Sequence, residues 1–465
     1  MEVTMNIQYG IRCGALLQRN GDDLCETILS GQWQGTLSAN PGKIRILSED
    51  TALLTGIPVG GPYTITISDD VESVTCTHVY VGDLWLLAGQ SNMEGAGRLR
   101  KRDREEPENP AVRALYMDDR WGSARVLLHQ LWLSGDPAHV RTCEQNGIAR
   151  KTSGVTVLDD PPMEQKRGVG PGYFFARAMY RKTGVPQGVI PAAVGGAPIE
   201  MWTPPTDGGD NYYTAAYRRI RLCGCRIRGL FWYQGEGYNS DLDEYDHRFT
   251  AMRDGFRTLC AMETLPTVQA QVFRCFLPGY KSTGAVWSRY RGHQWEMAHI
   301  LPALATVATN DLDLDDLIHL SADAQEILGS RACDAMCHLL YGTGNAEPEI
   351  AQITAEADDC VPSWTILQIR YRNLRGKLCA AGVPNGFTIG NADVAPDREG
   401  IQRIGLDGDT VWLRCEWNRD TMRQKTLWYG YGHDTYCNIT DEGGHAIPAT
   451  DAIRLCDWLA EQDNR

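Results

Sequence analysis

An apolar run from Val81 through Leu84, Trp85, Leu86 and Leu87 to Ala88 stops abruptly at Gly89, Gln90, Ser91, Asn92 and Met93. A run of Leu and Trp without polar alternation suits a strand covered on both faces, as in a parallel sheet, whose chemistry gathers at the carboxyl ends of its strands. Ser91 stands at such an end. It is either a hydroxyl delivered to a reaction or an ordinary strand-ending serine of a turn.

Four further apolar runs, 188–193, 227–233, 267–272 and 303–309, have the same character, and helical periodicity lies between them at 173–183 and 245–257. Strand and helix in alternation predict an α/β fold with a parallel sheet over residues 79–342. Residues 98–168, rich in Arg, Asp, Glu and Pro, break the rhythm and are expected to be an insertion near the active face. Ahead of this domain, residues 1–78 carry short β-like stretches such as 43–47 and 63–67, predicting an N-terminal β domain. Past a Gly-rich linker at 342–345, residues 343–465 become β-like again (364–371, 410–417). They end in an expected amphipathic helix with Ala452, Leu455 and Leu459 on one face.

The chain of 465 residues has a formal net charge of −14 and no basic stripe, which disfavours nucleic acid and anionic membrane as partners. Its first ten residues lack the apolar core of a signal peptide, and no stretch approaches a membrane span, so a cytoplasmic location is expected. The fifteen cysteines include no Cys-x-x-Cys and fit reduced thiols in a reducing compartment.

Four segments carry the chemistry. Met93 stands where a Gly-x-Ser-x-Gly elbow would have its second glycine, so Ser91 is not in an ordinary elbow. Gly195 and Gly196, after the second run and ahead of Glu200 and Trp202, could bare backbone N–H groups to an oxyanion or simply make a tight turn. Gln234 and Glu236 close the third run, where they are either site residues or strand-end solubilisers. Asp316 and His319 follow the fifth run, and at that spacing a carboxylate within one turn can orient an imidazole. Ser321 is placed to cap the next helix, whose apolar side is Ile327, Leu328, Ala332, Ala335, Met336 and Leu339. A calcium loop starting at Asp311 fails at Asp316 and Ala322, where glycine and glutamate are required. His293, Glu296 and His299 lack zinc spacing. No metal site is expected, and histidines other than His319 are mostly read as packing or surface residues.

Taken in order, Gly89-Gln90-Ser91-Asn92-Met93, Gly195-Gly196 with Glu200 and Trp202, Trp232-Tyr233-Gln234-Gly235-Glu236 and Asp316-x-x-His319 resemble the SGNH hydrolases, within them the sialate O-acetylesterase and acetylxylan esterase group of carbohydrate esterases. The flanks are similar too, at Leu17-Gln18-Arg19, Gly60-Gly61-Pro62-Tyr63-Thr64, Leu427-Trp428-Tyr429-Gly430, Cys437-Asn438 and Pro448-Ala449. The resemblance implies a flavodoxin-like parallel-sheet catalytic domain flanked by β domains, and a serine esterase that removes O-acetyl groups from a sugar or short glycan. Ser91 would be the nucleophile, His319 the base and Asp316 its orienting group. The Ser91 and Gly196 N–H groups and the Gln234 amide would form the oxyanion hole. Asn92, Glu236, Trp202 and Tyr238 would contact substrate, with no cofactor needed. Gly237 and Tyr238 depart from the serine and asparagine more usual after Glu236. A thioesterase or lipid esterase on the same scaffold, and a silent carbohydrate-binding protein, are the competing readings; oligomeric state is not legible.

Overall fold

The structure is a computed structural model that describes residues 5–149, 167–237, 241–277, 283–391 and 400–459. The chain divides into two compact units, Met1–Thr267 with His319–Cys333, and Val268–Ile318 with Asp334–Arg465.

In the first unit the strand Ser73–Gly89 organises everything else. Its second half is fully buried, with Leu84, Trp85, Leu86 and Leu87 all at 0% exposure, as the uninterrupted apolar run predicts. Gln187–Pro191 pairs with it in parallel on one side (Pro191 opposite Leu87), and Gly229–Tyr233 pairs in parallel on the other (Tyr233 opposite Gly89). Gly89 has to be glycine: its φ is +136°, and a Cβ would stand 2.0 Å from the Tyr233 carbonyl oxygen. The helix Gly172–Thr183 lays Phe175 edge-on against Trp85 at 5.2 Å and ends at Gly184, whose φ of +69° is the left-handed stop of a helix.

The stretch 98–168 is not wholly an insertion. Val112–Leu115 is a strand of the same sheet, parallel to Gln187–Pro191 and carrying Trp121–Ser123 antiparallel at the edge. Arg113 hid it by interrupting the apolar run; the side chain is 8% exposed, and its Nε donates to the Gly14 carbonyl at 3.0 Å. Residues 150–166 lie outside the described residues.

The front β region forms an antiparallel sheet in the order Asn6–Tyr9, Leu24–Gln32, Thr51–Pro58, Lys43–Ile46. Leu24–Gln32 alternates half-buried and buried residues until the exposed Gln32, the signature of a strand with one face on a core. No break separates this region from the parallel sheet. The first half of Ser73–Gly89 pairs antiparallel with Gly60–Ser68, and Leu16–Gln18 pairs with it at Tyr80–Gly82, so one strand serves both.

Among the described residues the second unit holds Leu304–Val307, all but the first residue of its hydrogen-bonded neighbour Thr267–Ala270, and three antiparallel sheets. Glu349–Ala357, Thr365–Arg372, Thr410–Cys415 and Ile401–Asp407 make the largest, over a core of Ile353, Leu367, Ile369, Val411 and Leu413. Among the described residues the terminal helix is Leu455–Leu459: both leucines are buried, but Ala452 is exposed and precedes the helix, because the strand pair Ile453–Arg454 comes first. In the helix Ala322–Tyr341, Ser321 Oγ accepts the Ala324 N–H at 3.1 Å, as a cap should. Leu328, Ala332, Ala335 and Met336 are buried, while Ile327 faces outward at 44% exposure.

Candidate active site

Because Tyr233 and Gly89 are in register, the segments that follow them leave the sheet side by side. Hydrogen bonds tie them: Gln90 N–H donates to the Tyr233 carbonyl at 2.9 Å, and Gly235 N–H donates to Gln90 Oε1 at 3.2 Å. Ser91 opens a single helical turn, Ser91–Glu94, with its side chain half-buried. Its Oγ is 2.9 Å from His319 Nε2, a contact between residues 228 apart in the chain. That is the separation at which an imidazole takes a hydroxyl proton.

Asn92, expected to touch substrate, is at 0% exposure and acts as a tie instead. Its Nδ2 donates to Glu236 Oε1 at 2.6 Å, its Oδ1 accepts the Leu320 N–H at 3.0 Å, and its backbone carbonyl accepts from Gln325 Nε2 at 3.1 Å. One amide thereby links the serine turn, the segment after Tyr233 and the residue next to His319. Glu236, also expected at the substrate, is 2% exposed, and its carboxyl is pushed up by burial and held back by the Asn92 hydrogen bond. Neither residue has surface to offer a sugar.

Trp202 is corrected in the same way. It is fully buried, edge-on to Trp232 at 5.3 Å and tilted against Tyr212 at 6.1 Å, because the short 3-10 turn Ile199–Trp202 turns the indole inward. Tyr238 lies outside the described residues.

The Gly195–Gly196 turn follows the strand Gln187–Pro191. Gly196 has φ +70°, and nothing lies within 4 Å of where its Cβ would be, so that side of the backbone faces open space. Gln234 is 1% exposed and its Nε2 reaches the Ala197 carbonyl at 3.4 Å, which sets the amide beside the same turn. The structure therefore brings Gln234 to the glycine pair.

Asp316 precedes His319 by three residues, and the segment is a bend rather than a helical turn. Asp316 Oδ1 accepts the Ile318 N–H at 2.9 Å, and the boundary of the second unit falls just after Ile318.

Sequence reasoning passed over Glu94. Three residues after Ser91 on the same turn, its carboxyl packs on Gly195, with Oε2 2.7 Å from where a Gly195 Cβ would be. Burial pushes it up to about 7, with the Gly195 N–H pulling the other way. Its position one helical turn from the serine is the signal that could have found it. Gln325, six residues past His319, has no such signal. Among the described residues no group of His, Cys, Asp and Glu is arranged to hold a metal ion, and no helix is long and apolar enough to cross a membrane.

Residues 81–338 match the family described as carbohydrate esterase, sialic acid-specific acetylesterase. The chain is 26% identical over 268 residues to a protein of Arabidopsis thaliana named a probable carbohydrate esterase, covering 53% of this chain and 86% of that one. It is 25% identical over 267 residues to the sialate O-acetylesterase of Homo sapiens, covering 50% of this chain and 47% of that one, so it spans about half the length of that relative. A carbohydrate acetylesterase from Xanthomonas citri shares the fold, with TM-score 0.70 at 21% identity over 96% of this chain and 99% of the other.

Proposed function

We propose that this chain, which belongs to the sialic acid-specific acetylesterase family of carbohydrate esterases and is thus a carboxylic ester hydrolase, works through Ser91 as nucleophile and His319 as base. The observation that carries the reading is the 2.9 Å contact between Ser91 Oγ and His319 Nε2 at the carboxyl end of the parallel sheet.

In this reading His319 Nε2 takes the hydroxyl proton as Ser91 Oγ bonds to the ester carbonyl carbon, and the carbonyl oxygen becomes an oxyanion. The Ser91 and Gly196 N–H groups and the Gln234 amide are its donors. Collapse breaks the bond to the sugar oxygen, which leaves with the proton from His319. Water, deprotonated by His319, then attacks the acetyl-serine, and acetate departs as Ser91 recovers its proton. Asp316 is assigned to orient His319 and stabilise its cation.

The substrate proposed is an O-acetylated sugar or short glycan, sialate esters first. The family description and the name of the human relative support this choice. Acetate release from a panel of O-acetylated sialic acids and xylo-oligosaccharides, beside acetyl and long-chain esters of one chromogenic alcohol, tests it. Turnover confined to acetyl esters and an acetyl adduct on Ser91 are expected. Preference for long chains, or an undiminished rate in Ser91→Ala, overturns it.

A further inference from the structure

We infer that Glu94 is a positioning residue for the oxyanion site: one helical turn from Ser91, its carboxylate braces the Gly195 backbone so that the next N–H, that of Gly196, faces the developing oxyanion. The inference rests on the serine reading above and deepens it.

The geometry joins three features. Glu94 shares with Ser91 a helix of one turn, so whatever fixes its carboxyl also fixes the nucleophile. That carboxyl fills the volume in front of Gly195, where a Cβ would meet it at 2.7 Å and where the same Cβ would be 3.8 Å from the Ser91 Cβ. The following residue, Gly196, has left-handed φ and open space on its Cβ side. A turn of two glycines has little stiffness of its own, since glycine loses the most conformational freedom on ordering. A carboxylate accepting one of its N–H groups supplies the missing constraint, because an ionised acceptor bonds roughly twice as strongly as a neutral one.

The brace is therefore strongest when Glu94 is ionised. Its carboxyl titrates near 7, raised by burial, so it is neutral below that pH and charged above it. The titratable groups around it include His129, His319 and Glu236. His129, 7% exposed and facing the Glu94 and Leu87 carbonyls, is pushed down to about 3 by burial and stays neutral. His319 meets the turn through Ser91, and Glu236 meets it through Asn92.

The test is the pH profile of kcat/KM for an acetyl ester in wild-type, Glu94→Gln and Glu94→Ala proteins, with Ser91→Ala as control. In the wild type the acid limb should fall with one proton more than in Glu94→Gln, whose amide oxygen accepts at every pH. Glu94→Ala should lower kcat by roughly 10- to 100-fold with KM within about threefold, less than the 10²–10³ for deleting an oxyanion donor outright. An acid limb identical in wild type and Glu94→Gln overturns the inference, as does a folded Glu94→Ala with undiminished kcat; if Glu94→Ala does not fold, the Gln profile decides. Turnover surviving in Ser91→Ala would sink the serine reading itself, whereas an inactive Ser91→Ala beside unchanged Glu94 profiles sinks only the brace.

Discussion

Among the described residues of the first unit two serine–histidine pairs stand at nearly equal separations: Ser91 Oγ to His319 Nε2 at 2.9 Å, and Ser134 Oγ to His139 Nδ1 at 2.8 Å. They have little else in common. Ser91 and His319 are both half-buried and meet where three parallel strands end. Ser134 and His139 are 2% and 0% exposed, five residues apart, and belong to the start of the helix Pro137–Gln145. There Ser134 Oγ also accepts the Asp136 N–H at 3.2 Å, and Asp136 caps the helix by accepting the Ala138 N–H at 3.0 Å. Burial pushes His139 down to about 4, with Arg218 and Arg219 adding to the push and Asp136 opposing it. A hydrogen-bonded Ser and His become a nucleophile and base only where an ester can reach them and an oxyanion has donors; elsewhere the same two groups are a helix fastening.

The largest effect expected from breaking this comparison is on turnover. Ser91→Ala should cost roughly 10⁴-fold or more in kcat, as the nucleophile role proposed for it requires. Ser134→Ala should leave kcat within about twofold and lower stability by about 1 kcal/mol. Equal losses of activity in the two variants would erase the distinction. Next comes the tie at Asn92. Asn92→Ala removes the link between Glu236 and Leu320 and leaves a buried carboxyl without that donor, so kcat should fall about 10- to 100-fold through misplacement of His319. Steady-state kinetics with KM close to wild type would confirm the route. The last effect is a pH dependence of stability. His139 binds its proton less readily folded than unfolded, so its contribution is intact above pH 6.5 and is lost as pH falls from there toward 4, by at most roughly 3 kcal/mol. Denaturant unfolding of His139→Asn should show a flatter pH dependence across that window than wild type; identical curves would contradict the assignment.

The strand ends were legible in the sequence because each apolar run stops at small or polar residues, the residues that bound a buried strand. Ser91, Gly196 and Gln234 thus stand where the runs place them. Register was not legible: nothing in the composition says that Tyr233 lies level with Gly89, and on that pairing depends which polar side chains turn inward. Asn92, Glu236 and Trp202 have the chemistry of sugar contacts, and only their burial shows that they support the site from behind. Val112–Leu115 was lost to the charge on Arg113, whose long aliphatic stem is buried with the strand while its guanidinium finds a carbonyl.

The strand Ser73–Gly89 carries one more consequence, for modularity. A front β region joined by a linker could be exchanged between proteins as a cassette, with a crossover anywhere in the tether. Here the only covalent route between the two halves of the first unit at that point is a 17-residue strand whose residues are hydrogen-bonded on both sides of the seam. A recombination near residue 78 would have to reproduce its pairing with Gly60–Ser68 and its phase with Gln187–Pro191 together, since a slip of one residue would turn Ser91 to the opposite face of the sheet. Such a boundary resists shuffling, and the front region is expected to be inherited with the serine it delivers.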